Sequence, residues 1–316
     1  MQRISVIVPC FNEQEVLPQL FQRLTAAATA WGADYEVICV DDGSSDGTWR
    51  LLRAQHETDA HWRGLSFTRN FGHEIAVCAG LHYAGGDAAV VMDADLQDPP
   101  EEIIRLLAKW REGFDVVLAV REKRQDPFLK RALAWGFYRL MARLSAFPLP
   151  TDTGEFCLLD RKVVNVINRL PERNRYLRGL RSWCGFRQAS VGFQRGGRAA
   201  GSPHYDFWRS LKLALDGMFS FSATPLRAAT SLGFVVSSFA SLGAVFTFFR
   251  KGFARVGLEL DAAFSPAVIA IIFLGGVQLI CLGVLGEYIL RIYDEVKGRP
   301  LWIIGDSAGI SDRMNT

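Results

Sequence analysis

The sequence has little cysteine: six residues in a chain of 316, none of them in a C-x-x-C pair. This scarcity excludes a disulfide-stapled scaffold and a structural zinc site. The signatures G-x-G-x-x-G and G-x-x-x-x-G-K-[ST] are absent, which disfavours a dinucleotide oxidoreductase and a P-loop hydrolase. The start of the chain lacks the charged-then-apolar pattern of a signal peptide, so we expect the N-terminal part in the cytoplasm.

Charge is missing from two apolar windows, residues 228–249 and residues 262–286. Each is longer than the roughly 20 residues that a helix needs to cross a bilayer core. We therefore predict a transmembrane hairpin within residues 228–290. Two crossings put the N-terminal domain and the tail, residues 291–316, on the same side of the membrane, which we expect to be the cytoplasm. Residues 206–227 interleave aromatic and basic side chains, which predicts an interfacial juxtamembrane helix.

The N-terminal part alternates apolar strands with amphipathic helices. The predicted strands cover residues 4–8, 35–40, 88–92 and 116–120. Continuous apolar strands that alternate with helices indicate a mostly parallel sheet covered on both faces. We expect an α/β domain over residues 1–205, with ligands bound beyond the carboxyl ends of its strands.

Acidic side chains follow the predicted strand ends. Asp41 and Asp42 end one strand, and Asp93, Asp95 and Gln97 follow another at alternate positions that point to one side. Carboxylate and amide oxygens suit Mg²⁺ or Mn²⁺ shared with a diphosphate. A D-x-D sequence alone is more often a turn or cap, but several polar strand ends in one sheet favour a metal site.

Motifs along nearly the whole chain resemble glycosyltransferase family 2, which has the Rossmann-like GT-A fold. The N-terminal motifs are V-P-C-F-N-E at 8–13, V-D-D-G-S-S-D-G-T at 40–48 and D-A-D-L-Q-D-P-P at 93–100. Later segments are similar to the polyisoprenyl-phosphate glycosyltransferases, which include bactoprenol glucosyltransferases and dolichol-phosphate mannose synthase. These segments are R-N-F-G-H at 69–73, D-T-G-E-F at 152–156, L-P-E-R-N-R at 170–175 and L-G-E-Y-I at 285–289.

The resemblance implies roles for individual residues. The implied donor-binding residues are Pro9, Phe11, Glu13, Asp41, Asp42, Asp93, Arg121 and Arg131. The implied ligands of Mg²⁺ or Mn²⁺ are Asp93, Asp95 and Gln97. The implied residues of the reaction centre are Asp95, Glu155, Arg69 and Asn70.

The chain departs from the family pattern at three positions. Glu155 stands where the family's D-x-G-D-F motif has its second aspartate, and Cys157 replaces the arginine that usually follows. His204 replaces the lysine of a G-x-S-K-Y stretch near the membrane. These changes affect the acidic role of Glu155 and the acceptor loop and leave the metal motif intact.

Basic residues concentrate between residues 161 and 198, a segment with ten Lys or Arg and one acidic residue, Glu172. The net charge of the whole chain is only +3. Next to the apolar windows, such a segment favours contact with anionic lipids and with an acceptor phosphate. A nucleic-acid partner is not expected, because no nucleic-acid-binding motif accompanies the charge. The predicted acceptor-phosphate residues are Arg173, Arg175, Arg198, Ser202, His204 and Tyr205.

The expected function is inverting transfer of a hexose from a nucleotide sugar, UDP-glucose being favoured, to polyprenyl (undecaprenyl) phosphate. The product would serve cell-envelope glycan modification at the bacterial inner membrane, where the chain is expected to be multi-pass. A GDP-mannose, UDP-N-acetylhexosamine or UDP-modified-pentose donor is an alternative, as is a non-catalytic module that binds nucleotide or lipid. Small residues in the apolar windows permit self-association.

Overall fold

The computed structural model describes residues 2–121, 153–173, 175–193 and 266–310, together with residues 226, 229, 231, 233–236, 238, 239 and 242. These residues fall into two compact units. Unit 1 contains the described residues up to 193 and those from 299 onward. Unit 2 contains the described residues between 226 and 298.

Among the described residues, unit 1 is built on an eight-stranded mixed sheet. The strands are β1 Arg3–Cys10, β2 Asp34–Asp41, β3 Trp62–Phe67, β4 Ala88–Val91, β5 Val116–Arg121, β6 Thr153–Asp160, β7 Gln188–Phe193 and β8 Ile304–Ala308. Their order across the sheet is β7-β5-β6-β4-β1-β2-β3-β8. The pairs β4–β1, β1–β2, β2–β3 and β5–β7 are parallel, whereas β6 and β8 run antiparallel to their neighbours.

The described helices of unit 1 are α1 Leu17–Ala28, α2 Thr48–Thr58, α3 His73–Tyr83, α4 Ile103–Arg111, α5 Arg161–Arg169 and α6 Leu177–Trp183. They cover both faces of the sheet, because alternate strand residues are apolar on both sides. Val6 and Val8 pack in a buried cluster with α1 and α4, and Ile7 and Val40 pack in a second cluster with α3 and α5. The predicted α/β fold is thus confirmed.

The tail contributes a strand that the sequence analysis did not predict. β8 pairs antiparallel with β3, with Ser307 opposite Leu65, and the indole of Trp302 is buried in the cluster on the α3 side of the sheet. Such pairing covers a sheet edge whose backbone groups would otherwise be open. The chain therefore returns to unit 1 after unit 2.

Unit 2 contains α7, Pro266–Val296. Among the described helices, the 24-residue segment Phe273–Val296 is long and apolar enough to cross a membrane. The helix continues beyond the predicted window of 262–286, where Arg291 pairs with Glu287 at 3.1 Å one turn earlier. The described residues of the other window, 228–249, are helical. The predicted interfacial helix lies outside the described residues, apart from residue 226.

Candidate functional site

Polar loops meet at one edge of the sheet, which we name the carboxyl edge. Phe11, Asp42 and Asp93 follow the ends of the parallel strands β1, β2 and β4. Because β6 runs antiparallel to β4, its first residues, including Glu155, lie at the same edge. The topology thus joins motifs that are far apart in the sequence.

The loops after β1 and β2 are hydrogen-bonded to each other. The amide of Asn12 donates to Ser44 Oγ at 2.9 Å, and Asn12 Oδ1 accepts from the amide of Ser45 at 2.9 Å. The amide of Glu13 donates to Thr48 Oγ1 at 2.8 Å. Phe11 between them stays exposed, so the two loops present an aromatic surface at the carboxyl edge.

Asp42 holds the R-N-F-G loop in place. Its Oδ1 accepts from the amide of Phe71 at 2.6 Å, and its Oδ2 accepts from the amide of Gly72 at 3.0 Å. Burial raises the pKa of Asp42, and these amides partly offset the shift. Next to it, Gly43 has φ +70°, and a Cβ there would lie 2.4 Å from the backbone of Arg69. Only glycine fits here, because φ is positive and the Arg69 backbone leaves no space for a Cβ atom.

Asp41 is buried and bonded within the protein in the same way. Its Oδ1 accepts from the amide of Ser44 at 3.0 Å and its Oδ2 from Ser66 Oγ at 2.7 Å. Both aspartates of the D-D-G motif therefore build loops at the carboxyl edge. Their predicted contact with a donor stays a prediction.

The D-x-D turn follows β4. Leu96 adopts φ +60°, and Asp95 Oδ1 accepts from the amide of Gln97 at 3.1 Å. Gln97 is buried, whereas Asp93 is partly exposed. Asp93 Oδ1 lies 3.7 Å from Nε2 of His73, at the start of α3.

Glu155 connects three elements of the site. Its Oε2 is bonded to His73 Nε2, and its Oε1 accepts from Arg178 Nη2, in α6, at 3.1 Å. Burial disfavours both charges of the His73–Glu155 pair, but the mutual interaction raises the pKa of His73 to about 9. Hydrogen bonds and charge from His73 and Arg178 lower the pKa of Glu155 to about 2. The pair is therefore ionised at neutral pH.

One ligand atom from each of His73, Asp93 and Glu155 lies within 4.8 Å of the others, within the described part of the chain. His73 and Glu155 are bonded to each other, so Asp93 is the member of this set that belongs to the predicted metal ligands. Asp93 and Asp95 bring carboxylate oxygens to the same turn, and such oxygens suit Mg²⁺ or Mn²⁺. The residues present therefore fit a divalent cation at this edge of the sheet.

The other predicted residues divide into three groups. Arg69 and Asn70 are exposed, and the Arg69 guanidinium lies 3.9 Å from the ring centre of Phe71. Pro9 is buried in β1, and Arg121 ends β5 opposite Phe193. The predicted site residues that lie outside the described residues are Arg131, Arg198, Ser202, His204 and Tyr205.

Two predicted acceptor residues differ in their surroundings. Arg173 is half-buried, whereas the guanidinium of Arg175 is buried and donates to the carbonyls of Ile167 at 2.8 Å and Leu170 at 2.6 Å. Arg175 therefore satisfies the carbonyls at the end of α5.

Sequence reasoning missed His73, Glu74 and Arg178 as members of the site. His73 is the last residue of the R-N-F-G-H segment, which was the available signal. Burial raises the pKa of Glu74 to about 7, and its Oε2 accepts from the amide of Leu177 at 3.1 Å. Arg178 carried no signal beyond its place in the basic segment.

Comparison with known proteins agrees with this architecture. Residues 5–167 match the profile of Glycosyl transferase family 2. The chain is 43% identical over 308 residues to an uncharacterized glycosyltransferase of Synechocystis sp., covering 97% of this chain and 96% of the relative. It is 42% identical over 307 residues to a bactoprenol glucosyl transferase of Shigella phage SfII, covering 96% of this chain and 98% of the relative.

A solved mannosyltransferase of Pyrobaculum calidifontis, in complex with GDP-Man and Mn²⁺, is 18% identical with a TM-score of 0.47. That likeness covers 95% of this chain and 76% of the other. The match over residues 5–167 and the identity to full-length relatives establish the family. The chain belongs to glycosyl transferase family 2 and is a glycosyltransferase.

Proposed function

We propose that this protein transfers glucose from UDP-glucose to a polyprenyl phosphate, with inversion at the anomeric carbon. The observation that carries the proposal is the carboxyl edge, where Asp93 and Glu155 meet around His73. The relative named bactoprenol glucosyl transferase supports the acceptor class, because the likeness extends over 96% of this chain. The apolar segment Phe273–Val296 supports an acceptor that resides in lipid.

The reaction is a single displacement. An oxygen of the acceptor phosphate attacks the anomeric carbon, the bond from that carbon to the diphosphate breaks, and the nucleoside diphosphate leaves with the electron pair. A phosphate is already anionic at neutral pH, so the step needs little general-base help. The contribution of the chain is then positioning and electrostatic stabilisation.

The donor would lie over the loops after β1, β2 and β4. The exposed ring of Phe11 offers a stacking surface for the nucleobase. Asp41 and Asp42 would act by holding these loops, because their carboxylates are bonded to the protein. Asp93 and Asp95, with Gln97, would hold a divalent cation, Mg²⁺ or Mn²⁺. When bound, that ion neutralises charge on the departing diphosphate.

The chain is proposed to cross the bacterial inner membrane twice, with unit 1 and the tail in the cytoplasm. β8 shares a sheet with strands that precede the membrane segment. A chain that leaves and re-enters one side crosses an even number of times. With Phe273–Val296 as one crossing, the charge-free window at residues 228–249 would supply the other. The Cys281 thiol, 3.6 Å from the carbonyl of Ala229, supports packing of the two segments.

The test is transfer from a panel of labelled nucleotide sugars to undecaprenyl phosphate, with and without Mn²⁺, by the full chain in detergent. We expect labelled polyprenyl-phosphate glucose from UDP-glucose, dependent on the metal. If labelled product forms from GDP-mannose or from another UDP-sugar instead, the proposed donor is wrong and the proposed reaction class stands. Tight nucleotide binding without transfer from any donor would contradict the proposal and favour a non-catalytic module.

A further inference from the structure

Glu155 has both carboxylate oxygens occupied by cations. Oε2 is bonded to His73 and Oε1 to Arg178. The carboxylate side chain is 15% exposed, whereas His73 is 44% exposed and Arg178 34%. The two cations therefore lie nearer to solvent than the carboxylate that holds them. A carboxylate in this arrangement orients its donors, and each of its oxygens is already bonded within the protein.

Three elements fix the two cations. Glu74, next to His73, accepts from the amide of Leu177 at 3.1 Å, which ties the first turn of α3 to α6. Three residues after Arg178, the fully buried Arg181 donates to the carbonyl of Gly154 at 3.1 Å. The starts of α3, β6 and α6 are thus bonded to one another, and His73 and Arg178 are held by regular structure.

We propose that His73 and Arg178 bind the phosphate of the acceptor, and that Glu155 acts by orienting these two side chains. This inference rests on the proposed function, from which the phosphate monoester is taken. The Arg178 guanidinium is a charge-assisted donor and the His73 ring supplies a second N–H donor, and both suit the oxygens of such a phosphate. His73 Nε2 is 3.7 Å from Asp93 Oδ1, so a phosphate bound to His73 would lie beside the residues proposed to hold the donor.

The donor diphosphate is the other source of the same chemistry. A phosphate on His73 and Arg178 could come from the nucleotide rather than from the lipid, so binding of each must be measured separately. A general base at Glu155 is the competing role for the carboxylate. It predicts a loss of turnover with unchanged acceptor affinity, whereas orientation of two cations predicts weaker acceptor binding.

The binding test uses the full chain in detergent, without donor. A short-chain polyprenyl monophosphate and the corresponding alcohol are titrated into the wild type, His73→Ala, Arg178→Ala and Arg178→Lys. We expect about 10- to 100-fold weaker binding of the phosphate to both alanine variants, partial recovery in Arg178→Lys, and unchanged binding of the alcohol. UDP with Mn²⁺ should bind all variants as it binds the wild type.

Arg23→Gln is the matched control. Arg23 pairs with Glu101 at 2.8 Å and is 33% exposed, close to the value for Arg178, but it lies on α1. This variant should bind the phosphate as the wild type does. Thermal unfolding of each variant verifies that the fold is retained, and Arg178→Lys keeps the test usable where an alanine variant unfolds.

Kinetics separate the roles of Glu155. Glu155→Gln should raise the KM for polyprenyl phosphate about tenfold or more while leaving the KM for the sugar nucleotide unchanged. A fall in kcat of about 10³-fold with unchanged acceptor KM would overturn the inference in favour of a general base. Loss of UDP binding in the cation variants would overturn it in favour of the donor.

Failure of this inference differs from failure of the proposed function. Wild-type transfer of glucose, with phosphate binding unaffected in His73→Ala and Arg178→Ala, refutes the phosphate site alone. Wild-type protein that prefers the monophosphate over the alcohol through these residues, but transfers no sugar, refutes the proposed function alone.

Discussion

Two carboxylates at opposite edges of the same sheet each pair with two cations, yet their surroundings differ. At the amino edge, Glu36 is fully buried and pairs with Arg3 at 3.1 Å and Arg63 at 2.8 Å. It also accepts from Ser5 Oγ and the amide of Gly85, both at 2.7 Å. At the carboxyl edge, Glu155 is 15% exposed and pairs with His73 and Arg178 beside Asp93.

An ion pair by itself therefore does not identify a functional site. The donors to Glu36 come from β1, β3 and the loop before β4, so its network links neighbouring strands. The partners of both carboxylates are similarly exposed, 39% and 32% at Glu36 against 44% and 34% at Glu155. Glu155 itself is partly exposed and lies beside the D-x-D motif at the ligand-binding edge of the sheet, which is typical of a site for a charged ligand. Each of the following substitutions tests one side of this comparison.

The largest effect is expected from Asp95→Asn at the carboxyl edge. Loss of one carboxylate from the proposed metal site should lower transfer by about 10²- to 10³-fold, because charge on the departing diphosphate is no longer neutralised. The melting temperature should change little. Initial rates at several Mn²⁺ concentrations measure the effect, and full activity in this variant would refute the metal assignment.

Gly43→Ala should also disturb the carboxyl edge, through the backbone. The added Cβ would lie 2.4 Å from the Arg69 backbone at a φ of +70°, so the loops must separate. A displacement of this kind costs about 10²-fold in activity and about 1–3 kcal/mol of stability. Gly185→Ala is the control, since it has φ +70° with open space around the added Cβ. Equal loss of activity in both variants would contradict the role of the close approach.

Glu36→Gln should lower the stability of the fold and leave the rate of sugar transfer unchanged. The amide keeps the shape but leaves Arg3 and Arg63 without their shared counter-charge, at a cost of about 2–4 kcal/mol in the free energy of unfolding. The rate per folded molecule should stay near that of the wild type. Urea unfolding, followed by tryptophan fluorescence, measures the change in the free energy of unfolding. A specific loss of turnover would show that the amino edge also serves catalysis.

The smallest effect is expected at a third paired carboxylate, Asp306 in β8. Trp49 Nε1 donates to it at 2.9 Å, and this hydrogen bond lowers the pKa of Asp306. A lowered pKa contributes stability above the ordinary value of about 3.9, and the contribution is lost as the pH falls through the folded pKa. Asp306→Asn should therefore melt about 1–2 °C below the wild type at pH 7, with the curves converging as the pH falls through the lowered pKa of Asp306. A constant difference at all pH values would contradict this account.

Local patterns predicted much of unit 1. The apolar runs that became β1, β2, β4 and β5 are buried on both faces, and such strands are recognisable because helices cover them from both sides. The D-x-D sequence at 93–95 was placed correctly after β4, since polar residues must follow where a buried strand reaches the surface.

Long-range features escaped prediction. β8 is the short polar segment Ile304–Ala308, and its pairing depends on the open edge of β3, far earlier in the chain. The basic segment was expected to face lipid and phosphate. The structure buries Arg175 and Arg181 against backbone carbonyls, because a long guanidinium can satisfy acceptors that the ends of elements leave unpaired.

The alternation of strands and helices, the acidic strand ends and the apolar windows can be read from the sequence alone, because each follows from the period or length of a local pattern. The meeting of His73, Asp93, Glu155 and Arg178 depends on the three-dimensional fold, since it requires an antiparallel β6 beside a parallel β4. The fold also decides which charges are exposed. Burial depends on what packs around a side chain, and neighbours in the chain do not specify it.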